Sequence, residues 1–225
     1  MAIKVVACCG GQLVHSNHPH TSLGYPPEDD PESTDGLEYP DRLQRLLGEG
    51  FDVKNVGAAS CFVCPALEAA EPGSTVVYQK TPQAQQCLDF KPDIIVLGPF
   101  GKHDALAPSE KGGYEGDPTF TAEEWTAGLQ EMAAAMAVGG ATVLLALPVP
   151  FPSGSTTHPL ATIAVPATEA AATALGLAVA DTATPFLGNA AVFPDADHLT
   201  NAGTDLLAEA VAEAVKEAVA GQPKL

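Results

Sequence analysis

Lys91-Pro92-Asp93-Ile94-Ile95-Val96-Leu97 ends in four consecutive apolar residues with no polar residue between them. A strand with one face in water alternates apolar and polar side chains. An unbroken run instead marks a strand covered on both faces, as in a parallel sheet. Val143-Leu144-Leu145 has the same character. Working outward from these two, the segments Ile3–Cys9, Phe51–Val56, Asp93–Leu97, Ala141–Leu147 and Leu177–Ala180 read as strands, with helical spacing in the segments between them. Leu43, Leu46 and Leu47 mark a first helix, Trp125, Leu129, Met132 and Met136 a middle one, and Leu207, Val211, Val215 and Val219 a last one. All of these are expected core contacts. The alternation predicts an α/β fold: a three-layer α/β/α sandwich around a five-stranded parallel sheet, flavodoxin-like in type, with residues 1–225 forming one domain.

With 28 acidic and 10 basic residues in 225, the chain has a formal charge of −18. That charge opposes binding to a phosphate backbone or an anionic lipid surface, so neither nucleic acid nor membrane is an expected partner. Much of the acid lies between Glu28 and Asp41 in a stretch rich in Pro and Gly, which reads as a solvated loop. The odd number of cysteines, Cys8, Cys9, Cys61, Cys64 and Cys87, lacks the density of a disulfide scaffold and fits a reducing compartment. Cys61-x-x-Cys64 has no second pair at zinc spacing, so its thiols read as small buried hydrophobes. An apolar, β-branched run begins at Ile3, without a charged n-region, hydrophobic h-region and cleavage site in order, and no apolar segment reaches membrane-spanning length. A soluble, cytoplasmic protein is expected, unless a targeting segment has been removed upstream.

Parallel α/β sheets bind ligands beyond the carboxyl ends of their strands, so chemistry is sought in the segments that follow each strand. One of these segments is Phe193-Pro194-Asp195-Ala196-Asp197-His198-Leu199-Thr200, placed before the last helix. An Asp three residues before a His lets the carboxylate accept one ring N–H and orient the imidazole toward a substrate. The same spacing also suits a carboxylate near a helix N-terminus beside a solvated His198.

Taken together, four strand-end blocks resemble the SGNH (GDSL) hydrolase family, most closely its sialate O-acetylesterase-like branch, from about Ile3 to Val219. The first is Cys9-Gly10-Gly11-Gln12-Leu13, where the family has Gly-Asp-Ser-Leu. The second is Asn55-Val56-Gly57, which matches the family's Asn-x-Gly and follows a familial helix, Tyr39-Pro40-Asp41-Arg42-Leu43. The third is Lys91–Leu97 leading to Gly101-Lys102-His103-Asp104, where the family reads Gly-x-Asn-Asp. The fourth is Asp195 to His198 followed by Leu199-Thr200-Asn201-Ala202-Gly203. The resemblance implies an oxyanion donor in the Gly57 N–H, substrate contacts from Gly11 and Asp104, and an acid-base pair in Asp195 and His198. It also implies a small-molecule or carbohydrate ester as ligand.

Two departures bear on that chemistry. The nucleophilic Ser of the family falls on Gln12, and a carboxamide cannot form an acyl-enzyme. The Asn that donates to the oxyanion falls on His103, and an imidazole can still donate there. Cys9 is intrinsically nucleophilic but lies about three residues early, and nothing in the sequence sets Ser16 or Ser60 beside His198. No cofactor is expected, although His15, His18 and His20, with His103 and the Asp195/His198 pair, form a donor set able to take Zn²⁺ or another transition metal and supply a bound hydroxide. Three readings stay open: a serine-less binding protein, an enzyme using the His and Asp residues in altered chemistry, and an ester hydrolase with a nucleophile elsewhere.

Overall fold

The computed structural model describes residues 3–10, 38–58, 61–64, 76–101, 120–151, 158–194 and 198–221. The main strands are β1 (Lys4–Gly10), β2 (Phe51–Gly57), β5 (Ile94–Leu97), β6 (Thr142–Ala146) and β7 (Ala178–Ala180). They form one parallel sheet in the spatial order β2-β1-β5-β6-β7. Two short strands, β3 (Cys61–Phe62) and β4 (Val76–Val77), pair separately. The helices are α1 (Tyr39–Leu47), α2 (Pro82–Asp89), α3 (Ala122–Met136), α4 (Val165–Leu175) and α5 (Asn201–Ala220). The chain steps outward from β1 to β2, crosses back over β1 to β5, and then proceeds to β7. Right-handed crossovers in that order put α1 and α5 on one face and α2, α3 and α4 on the other. Packing agrees with this, since α1 lies against α5 and α3 against α4.

All five predicted strands are present within a residue or two of their expected ends. The reason is visible in β5, where each of Ile94, Ile95, Val96 and Leu97 is fully buried. One helical expectation fails. Leu43 and Leu47 face the core, whereas Leu46 is 42% exposed, because it falls on the outer side of α1. Val219 is only partly buried near the end of α5. Helix α4, together with the five-residue π turn Leu160–Ala164 that leads into it, carries a weak pattern, because small alanines flatten it.

Local chemistry sets the element ends. Thr121 and Glu124 form a reciprocal capping box on α3: the Thr121 hydroxyl accepts from the Glu124 amide at 3.2 Å, and the Glu124 carboxylate accepts from the Thr121 amide at 2.8 Å. On the sheet edge, the Gln44 side chain accepts from the Val53 amide at 2.8 Å and donates to the Phe51 carbonyl at 3.0 Å. It thereby satisfies groups that an unpaired strand would otherwise present.

Candidate functional site

The strand order reverses between β1 and β5, which is where a crevice opens at the carboxyl edge of such a sheet. The register brings three of the sequence blocks to that edge. Gly10 pairs with Gly57 across β1 and β2, and Cys9 pairs with Leu97 across β1 and β5. Beyond the last ladder pairs, the Ala58 amide donates to the Gly10 carbonyl at 2.8 Å and the Gly98 amide to the Cys9 carbonyl at 2.7 Å. Gly98 has φ +99°, and a Cβ there would lie 3.0 Å from the Ala146 carbonyl oxygen, so only glycine fits this bend. Gly57 is buried, and its N–H donates to the Asn55 side-chain oxygen at 3.1 Å.

The described residues at the two ends of the fourth block are each held in place. Upstream, the Phe193 ring packs edge-on against Phe151 at 5.0 Å and against Phe186 at 5.9 Å. These two rings follow β6 and β7 respectively, so the block is anchored to two strand ends. Downstream, Leu199 is buried, and Thr200 caps α5 by accepting from the Gly203 amide at 3.2 Å. The Thr200 amide and hydroxyl both donate to the Val192 carbonyl, at 2.9 and 3.3 Å. Gly203 permits this closeness, because a Cβ there would come within 2.8 Å of the same carbonyl. His198 is half-buried between these two anchors, one residue from Leu199.

Arg42 lies in the helix that precedes the second block, and no role for it follows from the sequence. It is 1% exposed, yet fully committed. One guanidinium nitrogen donates to Asp205 at 2.7 Å and to the Asn201 carbonyl at 3.0 Å, and the other donates to the Asn201 side chain at 2.8 Å. Tyr39, one turn earlier on α1, donates its hydroxyl to the Gly98 carbonyl at 3.3 Å. Helix α1 therefore ties the carboxyl end of β5 to the first turn of α5, just after His198.

Cys9 is fully buried and contacts the Cys87 sulfur at 3.1 Å. Burial, reinforced by Cys87, pushes its thiol well above the ordinary range, opposing thiolate formation. The Tyr78 hydroxyl, held beside it, donates to the Val56 carbonyl at 2.6 Å. Cys61 and Cys64 are buried as well, and burial, followed by the Glu124 carboxylate, takes Cys64 up to about 12. Among the described residues, no group of three or more His, Cys, Asp and Glu is arranged to hold a metal. Gly11, Gln12, His15, Ser16, His18, His20, Ser60, His103, Asp104 and Asp195 lie outside the described residues.

No family model matches the chain, and no curated protein matches it in sequence. Solved structures do match in shape. LAE5, an α/β hydrolase enzyme from the metagenome of Lake Arreo, superposes with a TM-score of 0.65 at 17% identity, over 96% of this chain and 97% of its own. A protein of Slackia heliotrinireducens assigned to the SGNH hydrolases gives 0.60 at 18%, over 95% and 99%. Est24, a carbohydrate acetylesterase from Sinorhizobium meliloti, gives 0.59 at 15%, over 96% and 99%. The fold is the SGNH-hydrolase α/β sandwich. Among the described residues no helix is long and apolar enough to cross a membrane.

Proposed function

We propose that the chain belongs to the SGNH hydrolases and binds a small-molecule or carbohydrate ester at the carboxyl edge of its sheet, without the serine-esterase acyl transfer of the family. The observation that carries this reading is the pairing of Gln12, at the family's serine position, with a Cys9 that is sealed in the core against Cys87. The nearest thiol is thus unable to stand in as nucleophile, since it is inaccessible and held protonated. The rest of the arrangement favours a retained pocket: Gly10 and Gly57 side by side, and a rigidly anchored approach to His198. Among the solved neighbours, a carbohydrate acetylesterase agrees with an ester of that kind as ligand.

Hydrolysis of a short-acyl nitrophenyl ester, with and without a chelator and beside elemental analysis of the untagged protein, tests the reading. The expected result is no turnover in the natural chain and esterase activity gained in Gln12→Ser. Metal-free turnover by the natural chain would overturn it in favour of a nucleophile elsewhere. Stoichiometric metal with chelator-sensitive turnover would overturn it in favour of the histidine set His15, His18 and His20.

A further inference from the structure

A cavity of about 330 Å³ opens beside Gly57, lined by Asn55, Gly57, Gln83 and Gln86. Its composition follows from two periodicities. Asn55 and Gly57 are two apart on β2 and share one face of the strand, and Gln83 and Gln86 are three apart on α2 and share one face of the helix. Ala84 and Cys87, on the neighbouring stripe of α2, enter the core, which leaves the two glutamines turned along the helix toward the sheet edge. A chain carrying 28 carboxylates has therefore built, next to Gly57, whose N–H donates to Asn55, a recess whose described lining holds three carboxamides and no charge.

We propose that this recess is a subsite for a neutral sugar ring, the alcohol portion of the bound ester, with Gln83 and Gln86 as its specificity-determining residues. The inference rests on the ester-binding reading above. Each carboxamide offers one acceptor oxygen and two N–H donors, and each sugar hydroxyl both donates and accepts, so adjacent hydroxyls of a ring can pair with one amide. Asn55 already spends its oxygen on the Gly57 N–H, so its amino group is what it offers to a ligand acceptor. The volume is at the lower end of the range of about 300 to 1,000 Å³ typical of ligand sites, sized for one ring. An acidic sugar gains nothing here. Its carboxylate meets no cation among the described lining residues and approaches a chain of charge −18. The subsite thus separates this chain from the sialate-like branch that its sequence blocks resemble, since sialate carries a carboxylate.

Saturation-transfer NMR on the full chain with a panel of neutral methyl hexopyranosides, and with the corresponding methyl hexuronides, tests this directly. At least one neutral glycoside should bind, the matching uronide about tenfold more weakly, and Gln83→Leu/Gln86→Leu about tenfold more weakly than the natural chain, as expected for losing two hydrogen-bonding groups. Far-ultraviolet circular dichroism establishes that the double variant is folded; a second pair, Gln83→Ala/Gln86→Ala, carries the comparison if it is not. The absence of binding by every glycoside, equal binding of the uronide, or undiminished binding by a folded variant overturns the subsite. Its failure is distinct from failure of the ester reading. Glycoside binding alongside an inactive, folded Gln12→Ser would preserve the subsite and sink the ester lineage, and the reverse pattern would do the opposite.

Discussion

The two faces of the sheet are held by different physics. Between α1 and α5 lies a buried charge, Arg42, with three acceptors, two of them on the first residue of α5. Between the sheet and α2, α3 and α4 the buried polar groups among the described residues are neutral. Cys9 meets Cys87, Tyr78 donates to Val56, and the Trp125 indole donates to Thr168 at 2.9 Å. A buried charge costs several kcal/mol in desolvation unless fully paired, and it fixes geometry in return. The charge sits on the face that presents His198. The neutral face has only to be filled, and there thiols and aromatic rings suffice.

The comparison breaks most sharply at Arg42. In Arg42→Met the side chain keeps much of its volume and loses its hydrogen bonds, leaving the Asn201 side chain without this donor. We expect a loss of about 3 kcal/mol in urea unfolding, the lower end for breaking a buried pair, because Asp205 is 43% exposed and can turn to water. The His198 ring resonances should shift in the folded variant, since the first turn of α5 is freed. A loss below about 1 kcal/mol would mean that the guanidinium acts as surface charge do.

Alkaline pH tests the other face. Burial, the leading cause for both, raises Cys64 from 9.0 to about 12 and Cys9 well above 9.0. Both groups are neutral when protonated, and the folded state holds the proton more tightly. Their contribution is therefore fully present below pH 9 and is lost as pH rises from 9 toward 12, because the unfolded chain ionises first. Each thiol should cost roughly 1 kcal/mol per pH unit over that window, and Cys8, on the α1 side and likewise pushed by burial up to about 12, adds its share, so stability at pH 10 should fall by about 3 kcal/mol relative to pH 8. Cys64→Ala should flatten the slope. A slope unchanged in that variant would place the alkaline sensitivity elsewhere.

The same contrast explains what was legible in the sequence. Strands buried on both faces, such as Ile94–Leu97, announce themselves because burial excludes polar residues from every position. The edge glycines Gly10 and Gly57 are marked by the family resemblance, whereas the helix cap is Thr200, where the sequence suggests a carboxylate near the helix N-terminus. The Arg42 clamp could not be read from the sequence, since it joins residues 159 and 163 positions apart and an arginine in a helix ordinarily reads as solvated. Nor could the glutamine recess, because the spacing on α2 marks Ala84 and Cys87 for the core and says nothing of what Gln83 and Gln86 face. Sequence periodicity reports burial against the core. It is silent on which polar groups two elements turn toward one another.

The smallest expected effect, at Thr168, sharpens the neutral side of the comparison. Its hydroxyl accepts from the Trp125 indole and donates to the Ala164 carbonyl at 2.7 Å, within a site 2% exposed. Thr168→Val preserves the shape and leaves the buried indole N–H without that acceptor, a cost of about 1 to 2 kcal/mol. Phe100 and Phe120 pack against the same indole ring, with centroids at 6.4 and 4.9 Å, so the ring is held in place while it loses its partner. The cost should therefore appear in unfolding free energy, with tryptophan fluorescence of the folded state nearly unshifted. A large red shift instead would mean that the hydroxyl, rather than the aromatic packing, fixes the indole. The neutral face would then depend on directed polar contacts as much as the charged one does.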